Sequence, residues 1–333
     1  EEGGIKVNSN LYDVLGLFVA VAFILALKGL SAPKSARRGN LIGAAGATLA
    51  TVMVFARPLG SDENGVPYTH HNTLLIVISI LVGVLVGVPA ARKIQMTSMP
   101  QLVALFNGVG GGAAALVAIV EYLNLGEKAS SAEVVATVFT VIVGCTSFSG
   151  SVITFLKLQE LMTTRPVVFP GGRFLIAATL AGVLATGGWT IASGGNTPLL
   201  VMAGLALLFG VLFVLPVGGA DVPIVISLLN AFTGLTVAAS GYVLQSTLLI
   251  VAGTLVGASG TILTRLMAEA MGRSLFGTLF GAFTAKPQES TGAAENRPVK
   301  SGSPDDVAIL LNYAQRVVIV PGFGLAVAQA QHT

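Results

Sequence analysis

Charge is scarce in this chain: 18 basic and 15 acidic side chains serve 333 residues, or 10%, against about 25% in an ordinary soluble domain. With 53% of residues hydrophobic as well, a single water-soluble globule is excluded. Cysteine is almost absent too, and the lone Cys145 excludes an intrachain disulfide. Cys145 lies within an apolar run and reads as a small packing residue. The 18 basic residues sit mostly between apolar runs, so no clustered basic face exists for nucleic acid. His70 and His71, two of only three histidines, follow Asp62 and Glu63, too few ligands for a metal site.

What the chain has in abundance is long apolar stretches. Between punctuating Gly, Pro and charged residues lie about nine, at residues 11–30, 41–55, 74–91, 102–123, 134–156, 174–192, 199–215, 224–244 and 248–268. Most approach the twenty helical residues that cross about 30 Å of hydrocarbon; the second and seventh are short. The first has acidic Glu1 and Glu2 where a signal peptide would be basic, so it reads as a span and not as a cleaved leader. The expected fold is an all-α polytopic membrane protein of about nine transmembrane helices, followed by the truncated start of a Rossmann-like α/β domain.

Orientation follows from loop cations, which favour the cytoplasmic side. Loops after odd-numbered spans hold Lys28, Lys34, Arg37, Arg38, Arg92, Lys93, Lys157, Arg165 and Arg173; those after even-numbered spans hold Arg57 and Lys128. This asymmetry puts the N-terminus outside and everything beyond the ninth span in the cytoplasm or matrix.

The boundaries expected are a membrane domain over 1–283, a linker over 284–304 and the start of a nucleotide-binding domain over 305–333. Residues 271–283 read as a short interfacial helix. The linker is rich in Lys, Pro, Gln, Glu, Ser and Gly and buries too little apolar surface to fold. Asp305-Asp306 opens a short helix through Tyr313, and residues 316–320 read as a buried strand. That strand enters Pro321-Gly322-Phe323-Gly324-Leu325-Ala326-Val327, the order of a dinucleotide-binding turn. Gly322 permits the tight turn, Gly324 lets backbone approach a pyrophosphate at a helix N-terminus, and Val327 stands where a third Gly or Ala is usual. An ordinary tight turn accounts for the same residues.

Within the membrane, Pro100 precedes Asn107 by seven residues and Pro223 precedes Asn230 by seven. Seven helical residues rise about 10.5 Å, so both carboxamides lie at similar depth below one face. Gly108 to Gly112 after Asn107, and Thr233 and Gly234 after Asn230, allow close helix approach. Interhelical glue and orientation of water both fit. Asp, Glu, Lys, Arg and His are missing from the middle of every span, so any titratable proton carrier there comes from a partner chain. Asp221, just before the eighth span, fits an N-cap or a contact to the soluble domain, with Arg273 as counterpart. The patch Thr146-Ser147-Phe148-Ser149-Gly150-Ser151 is explained by hydroxyls bonded back to their own helix.

Met96-Thr97-Ser98-Met99-Pro100-Gln101, Gly218-Gly219-Ala220-Asp221-Val222-Pro223, Asn230-Ala231-Phe232-Thr233-Gly234 and the turn at 321–331 occur in order, and together they closely resemble the beta subunit of proton-translocating NAD(P) transhydrogenases. The resemblance runs from about residue 11 to 333. It implies an enzyme, Re/Si-specific, that moves a hydride between NADH and NADP⁺ while a proton crosses the membrane. It implies NADP(H) on this subunit and NAD(H) on an alpha-type partner, in a dimer of protomers in a bacterial or mitochondrial inner membrane. By matching motif, Asn107, Asn230 and Thr233 line the proton path, Asp221 and Arg273 couple the domains, and Gly322, Gly324 and Val327 form the pyrophosphate turn. Some members carry histidine where this chain has Asn107, so the titrating histidine is expected on a partner helix. With only the start of the NADP(H) domain present, this chain alone is expected to be inactive. A nucleotide-gated channel or secondary transporter would share the spans, but no carbonyl-filter sequence or charged ring occurs. A structural anchor would leave the deep asparagines without a task.

The loop charges generate a topology test. A cysteine placed within residues 34–38 should be labelled by an impermeant maleimide only from the cytoplasmic side, and one within 62–64 only from outside. The opposite pattern overturns the orientation.

Overall fold

A computed structural model describes residues 9–56, 73–125, 129–272, 274, 277 and 303–318. The chain divides into two units, Glu1–Phe283 and Thr284–Thr333. The first contains nine long helices among its described residues: α1 (Ser9–Leu30), α2 (Pro33–Ala56), α3 (Thr73–Lys93), α4 (Met99–Leu125), α5 (Ser131–Leu158), α6 (Gly172–Ser193), α7 (Asn196–Val214), α8 (Val222–Val243) and α9 (Thr247–Ala270). Seven of them, α3 to α9, are long and apolar enough to cross a membrane. The described apolar part of α1, Val14–Leu30, is shorter, and α2 is more polar, so nine crossings remain an expectation.

Helix α2 departs from the expected loop pattern. Lys34, Arg37 and Arg38 belong to its first turns, leaving only Ser31 and Ala32 as connection. Pro33 suits a first helical position, where a backbone N–H would have no acceptor anyway. Tight approach of α1 and α2 follows from glycine: a Cβ on Gly29 would lie 2.7 Å from the Gly39 Cα.

Helix α5 is the hub, packed on α4, α6, α7 and α8. Its buried residues are mostly small: Thr137, Thr140, Gly144, Cys145, Ser147, Gly150 and Ser151 among them. Lipid tails are as apolar as leucine, so burial of apolar area does little to hold such helices together, and close backbone approach through small residues does more. Ser130 and Glu133 form a reciprocal capping box at its start. The α8–α9 contact uses the same means. A Cβ on Gly241 would lie 2.7 Å from the Ile250 amide nitrogen, and one on Gly260 would lie 3.0 Å from the Ala231 Cα. Thr264 Oγ1 donates to Ser227 Oγ at 3.0 Å across this contact.

Helix α3 is the opposite case. None of its described side chains is buried, and its leucines and valines face outward all round.

In the second unit, α10 (Pro304–Tyr313) is capped by a Ser303–Asp306 box. Hydrogen bonds from the Ser303 amide and hydroxyl hold the Asp306 carboxyl below the usual carboxylate range. No strand occurs among the described residues: Arg316, Val317 and Val318 are irregular and exposed. A strand needs a neighbour to satisfy its backbone, and no strand partner for these three occurs among the described residues. The remainder of the expected strand, the turn with Gly322, Gly324 and Val327, Arg273, His70, His71 and most of the expected linker lie outside the described residues.

The α8–α9 contact leaves no room for a side chain at Gly253, whose Cβ would lie 2.6 Å from the Gly234 carbonyl oxygen. Gly253→Leu should therefore destabilise the solubilised protein by about 1–3 kcal/mol or prevent its accumulation. Gly83→Leu, on open α3 with nothing within 4 Å of its Cβ position, should leave the unfolding midpoint unchanged. Equal behaviour of the two variants would refute the packing account.

Candidate functional site

Asn107 lies eight residues into α4 from Met99, and Asn230 lies eight residues into α8 from Val222. Their depths along their own helices therefore match. Their surroundings differ. Asn107 is 8% exposed and faces α5, where its Nδ2 donates to Ser151 Oγ at 2.9 Å and to Ser147 Oγ at 3.4 Å. Ser147 Oγ also lies 2.7 Å from Thr233 Oγ1 and 3.0 Å from the Leu229 carbonyl on α8. Thr233 Oγ1 reaches the Asn107 carbonyl at 3.5 Å. Three helices thus converge on one seam of amide and hydroxyl groups.

Glycine makes that convergence possible. A Cβ on Gly111 would lie 3.2 Å from both the Ser147 Cβ and Thr233 Oγ1, and one on Gly108 would lie 2.9 Å from the Ser151 Cβ. The glycines after Asn107 are therefore the space into which the polar side chains fit.

Two features give the seam chemical capacity. The buried Oδ1 of Asn107 has no hydrogen-bond partner, although a buried acceptor left alone costs about 1–3 kcal/mol. Such an acceptor suits a water or a donor from another chain. The Ser147 and Thr233 hydroxyls each face more than one acceptor, so their protons can reorient without any heavy atom moving far. None of these groups titrates in the accessible pH range. Asn230 stands apart. It is half-buried, one turn before Thr233, and its side chain makes no hydrogen bond among the described residues.

Ser147 and Ser151 correct the expectation that the α5 hydroxyls bond only to their own helix. Ser149 does so, donating to the Cys145 carbonyl at 3.0 Å, whereas Ser147 and Ser151 meet α4 and α8. Their i, i+4 spacing places them on one face, and that spacing was the available signal.

A second polar feature lies at one end of the bundle. Lys157, next to last in α5, is fully buried, and its Nζ donates to the carbonyls of Val214 at 3.3 Å, Leu215 at 2.6 Å and Val217 at 2.8 Å. Counted in the sequence as a loop cation, it is instead enclosed by the end of α7. Nearby, the Gly219 amide donates to the Thr164 carbonyl and the Val167 amide to the Leu215 carbonyl. Gln101 Nε2 on α4 donates to the Leu158 carbonyl at 3.1 Å. Asp221 occupies the N-cap position of α8 but makes no capping side-chain hydrogen bond, so the simple N-cap reading fails.

Long apolar helices around a buried polar seam define the class as an integral membrane protein. The family is equally definite. The model of the family described as NAD(P) transhydrogenase beta subunit matches residues 12–333, and the chain belongs to that family. It is 39% identical over 325 residues to the NAD(P) transhydrogenase subunit beta of Rhodospirillum rubrum, covering 95% of this chain and 68% of that protein. A strain-specific sequence from the same organism matches to the same extent. Membership places the chain in a transhydrogenase complex that uses NAD(P)(H), as a beta subunit with an alpha-type partner.

The seam predicts an order of stabilities. Ser147→Ala removes an acceptor for Asn107 and a donor to α8, whereas Ser151→Ala removes one bond. Unfolding in detergent should show Ser147→Ala to be the more destabilising, each within about 0.5–2 kcal/mol. A reversed order would contradict the bridging role of Ser147.

Proposed function

We propose that this chain is the part of a proton-translocating transhydrogenase through which the proton passes, along the seam of Asn107, Ser147 and Thr233, with Asn230 one turn away. Hydride transfer between NADH and NADP⁺ drives, or is driven by, that passage. The observation that carries the reading is the buried, unpartnered Oδ1 of Asn107 beside hydroxyls able to reorient. Because the seam holds no titratable group, it relays and orients; a histidine or other titrating group comes from the alpha-type subunit. Asn107 presents an acceptor to that group or to an intervening water. Ser147 and Ser151 hold the carboxamide in place, and Thr233 continues the hydrogen-bonded line to α8.

The rest of the reading rests on sequence and family. Nine crossings put the N-terminus outside and the segment beyond α9 in the cytoplasm or matrix of an inner membrane. Residues 1–283 form the membrane domain, 284–304 a linker, and 305–333 the start of the NADP(H) domain, where Gly322, Gly324 and Val327 form the pyrophosphate turn. NADP(H), held there, supplies the hydride acceptor or donor; NAD(H) belongs to the partner. Asp221 and Arg273 couple membrane and nucleotide domains in a complex containing two protomers. This chain without its partner and the remainder of the nucleotide domain is inactive. No observation favours a channel or transporter instead.

Asn230→Leu removes hydrogen-bonding capacity while keeping the same branched heavy-atom shape. In the complete complex reconstituted in vesicles, proton-coupled turnover should fall at least tenfold while NADPH still binds. If Asn230 is only interhelical glue, assembled complex becomes scarcer but each assembled complex keeps its activity and pH gradient. Unaltered coupling in both Asn107→Leu and Asn230→Leu excludes the path.

A further inference from the structure

Helix α7 ends without the usual devices. Neither a left-handed glycine nor a basic residue of its own occupies its last turn; Leu215 at the C-cap is right-handed, and Pro216 follows. A helix leaves its last carbonyls unsatisfied and its C-terminus partially negative. Here the cation comes from another helix. Lys157 of α5 reaches across 57 to 60 residues of sequence to three carbonyls, and it is fully buried. The single salt bridge among the described residues, Arg265 with Glu269, does not involve it. Its charge is matched by backbone alone.

Of the carbonyls it holds, that of Val214 ends α7, and those of Leu215 and Val217 belong to the connection between α7 and α8. Val217 lies four residues before Asp221, and between them the Gly219 amide is held by the Thr164 carbonyl at 2.9 Å. The Leu215 carbonyl also accepts from the Val167 amide at 3.0 Å. So the segment that ends at Asp221 is held at both its beginning and its middle, and Lys157 is the side chain that binds its first carbonyls. The same segment sets the start of α8, on which Asn230 and Thr233 lie.

We infer that Lys157 is a positioning residue for coupling: its buried ammonium fixes the α7–α8 connection so that Asp221 is presented, and α8 begins, in one geometry. This rests on the reading of Asp221 as a coupling residue. Loss of the ammonium leaves the Val217 carbonyl buried without a donor and lets the connection adopt more than one path.

The test uses the complete complex in vesicles and reads protons translocated per hydride transferred, a ratio that a loss of folded protein alone does not move. Lys157→Met should lower coupled turnover per assembled complex at least tenfold and lower the ratio, with NADPH affinity unchanged. Lys157→Arg, which keeps a charge and several donors, should restore most of both. Lys157→Gln keeps two N–H donors without charge, so it remains measurable if the methionine variant fails to assemble, and it too should show a lowered ratio. A wild-type ratio and turnover per complex in every variant that assembles would make Lys157 a packing group and overturn the inference. Asp221→Asn, run in parallel, separates the two failures. An unchanged ratio there removes the coupling role of Asp221, whereas a lowered ratio there with normal Lys157→Met and Lys157→Gln removes only the role of Lys157.

Discussion

Hydrocarbon offers no hydrogen bonds, so each polar group carried into the bundle must find its partner inside the protein. That constraint explains α5. A helix of threonines, serines and glycines would be a poor core element in water, yet here its small side chains let four neighbours approach. Three of its hydroxyls, Thr140, Ser149 and Thr154, are satisfied by their own backbone. Thr146 turns to the Ala206 carbonyl of α7, whereas Ser147 and Ser151 turn to α8 and α4 and define the seam.

The same constraint separates what could be read in the sequence from what could not. Apolar length is a property of a segment by itself, so α3 to α9, the seven helices apolar enough to cross a membrane, were legible, including the short seventh segment. The matched positions of Asn107 and Asn230 were legible for the same reason, since each follows from the start of its own helix. Ser147, Ser151 and Lys157 were not, because their meaning depends on which helices flank α5. A serine in a helix bonds backward by default, and a lysine near a helix end reads as a loop cation by default. Only packing reveals the exceptions. The α1–α2 turn was misplaced for a local reason: a basic helix start, Pro33 to Arg38, was taken for loop because of its charge.

Family membership and geometry contribute different things. The match over residues 12–333 says what complex the chain serves in. It does not say how the proposed path, which lacks titratable groups, would conduct. In the proposed reading, reorientable hydroxyls beside an unpartnered amide oxygen would relay the proton, and a partner would supply the group that holds it.

The backbone contact between α8 and α9 has a mechanical consequence. Where leucines separate two helices, rotamer changes absorb small displacements. Where glycine meets glycine, as at Gly234 and Gly257, nothing compliant lies between the chains, and repulsion rises steeply with any approach. The two helices therefore behave as one stiff lever. A tilt imposed at the Asp221 end of α8 would carry α9 with it, including Arg265 and Glu269 in its last turns.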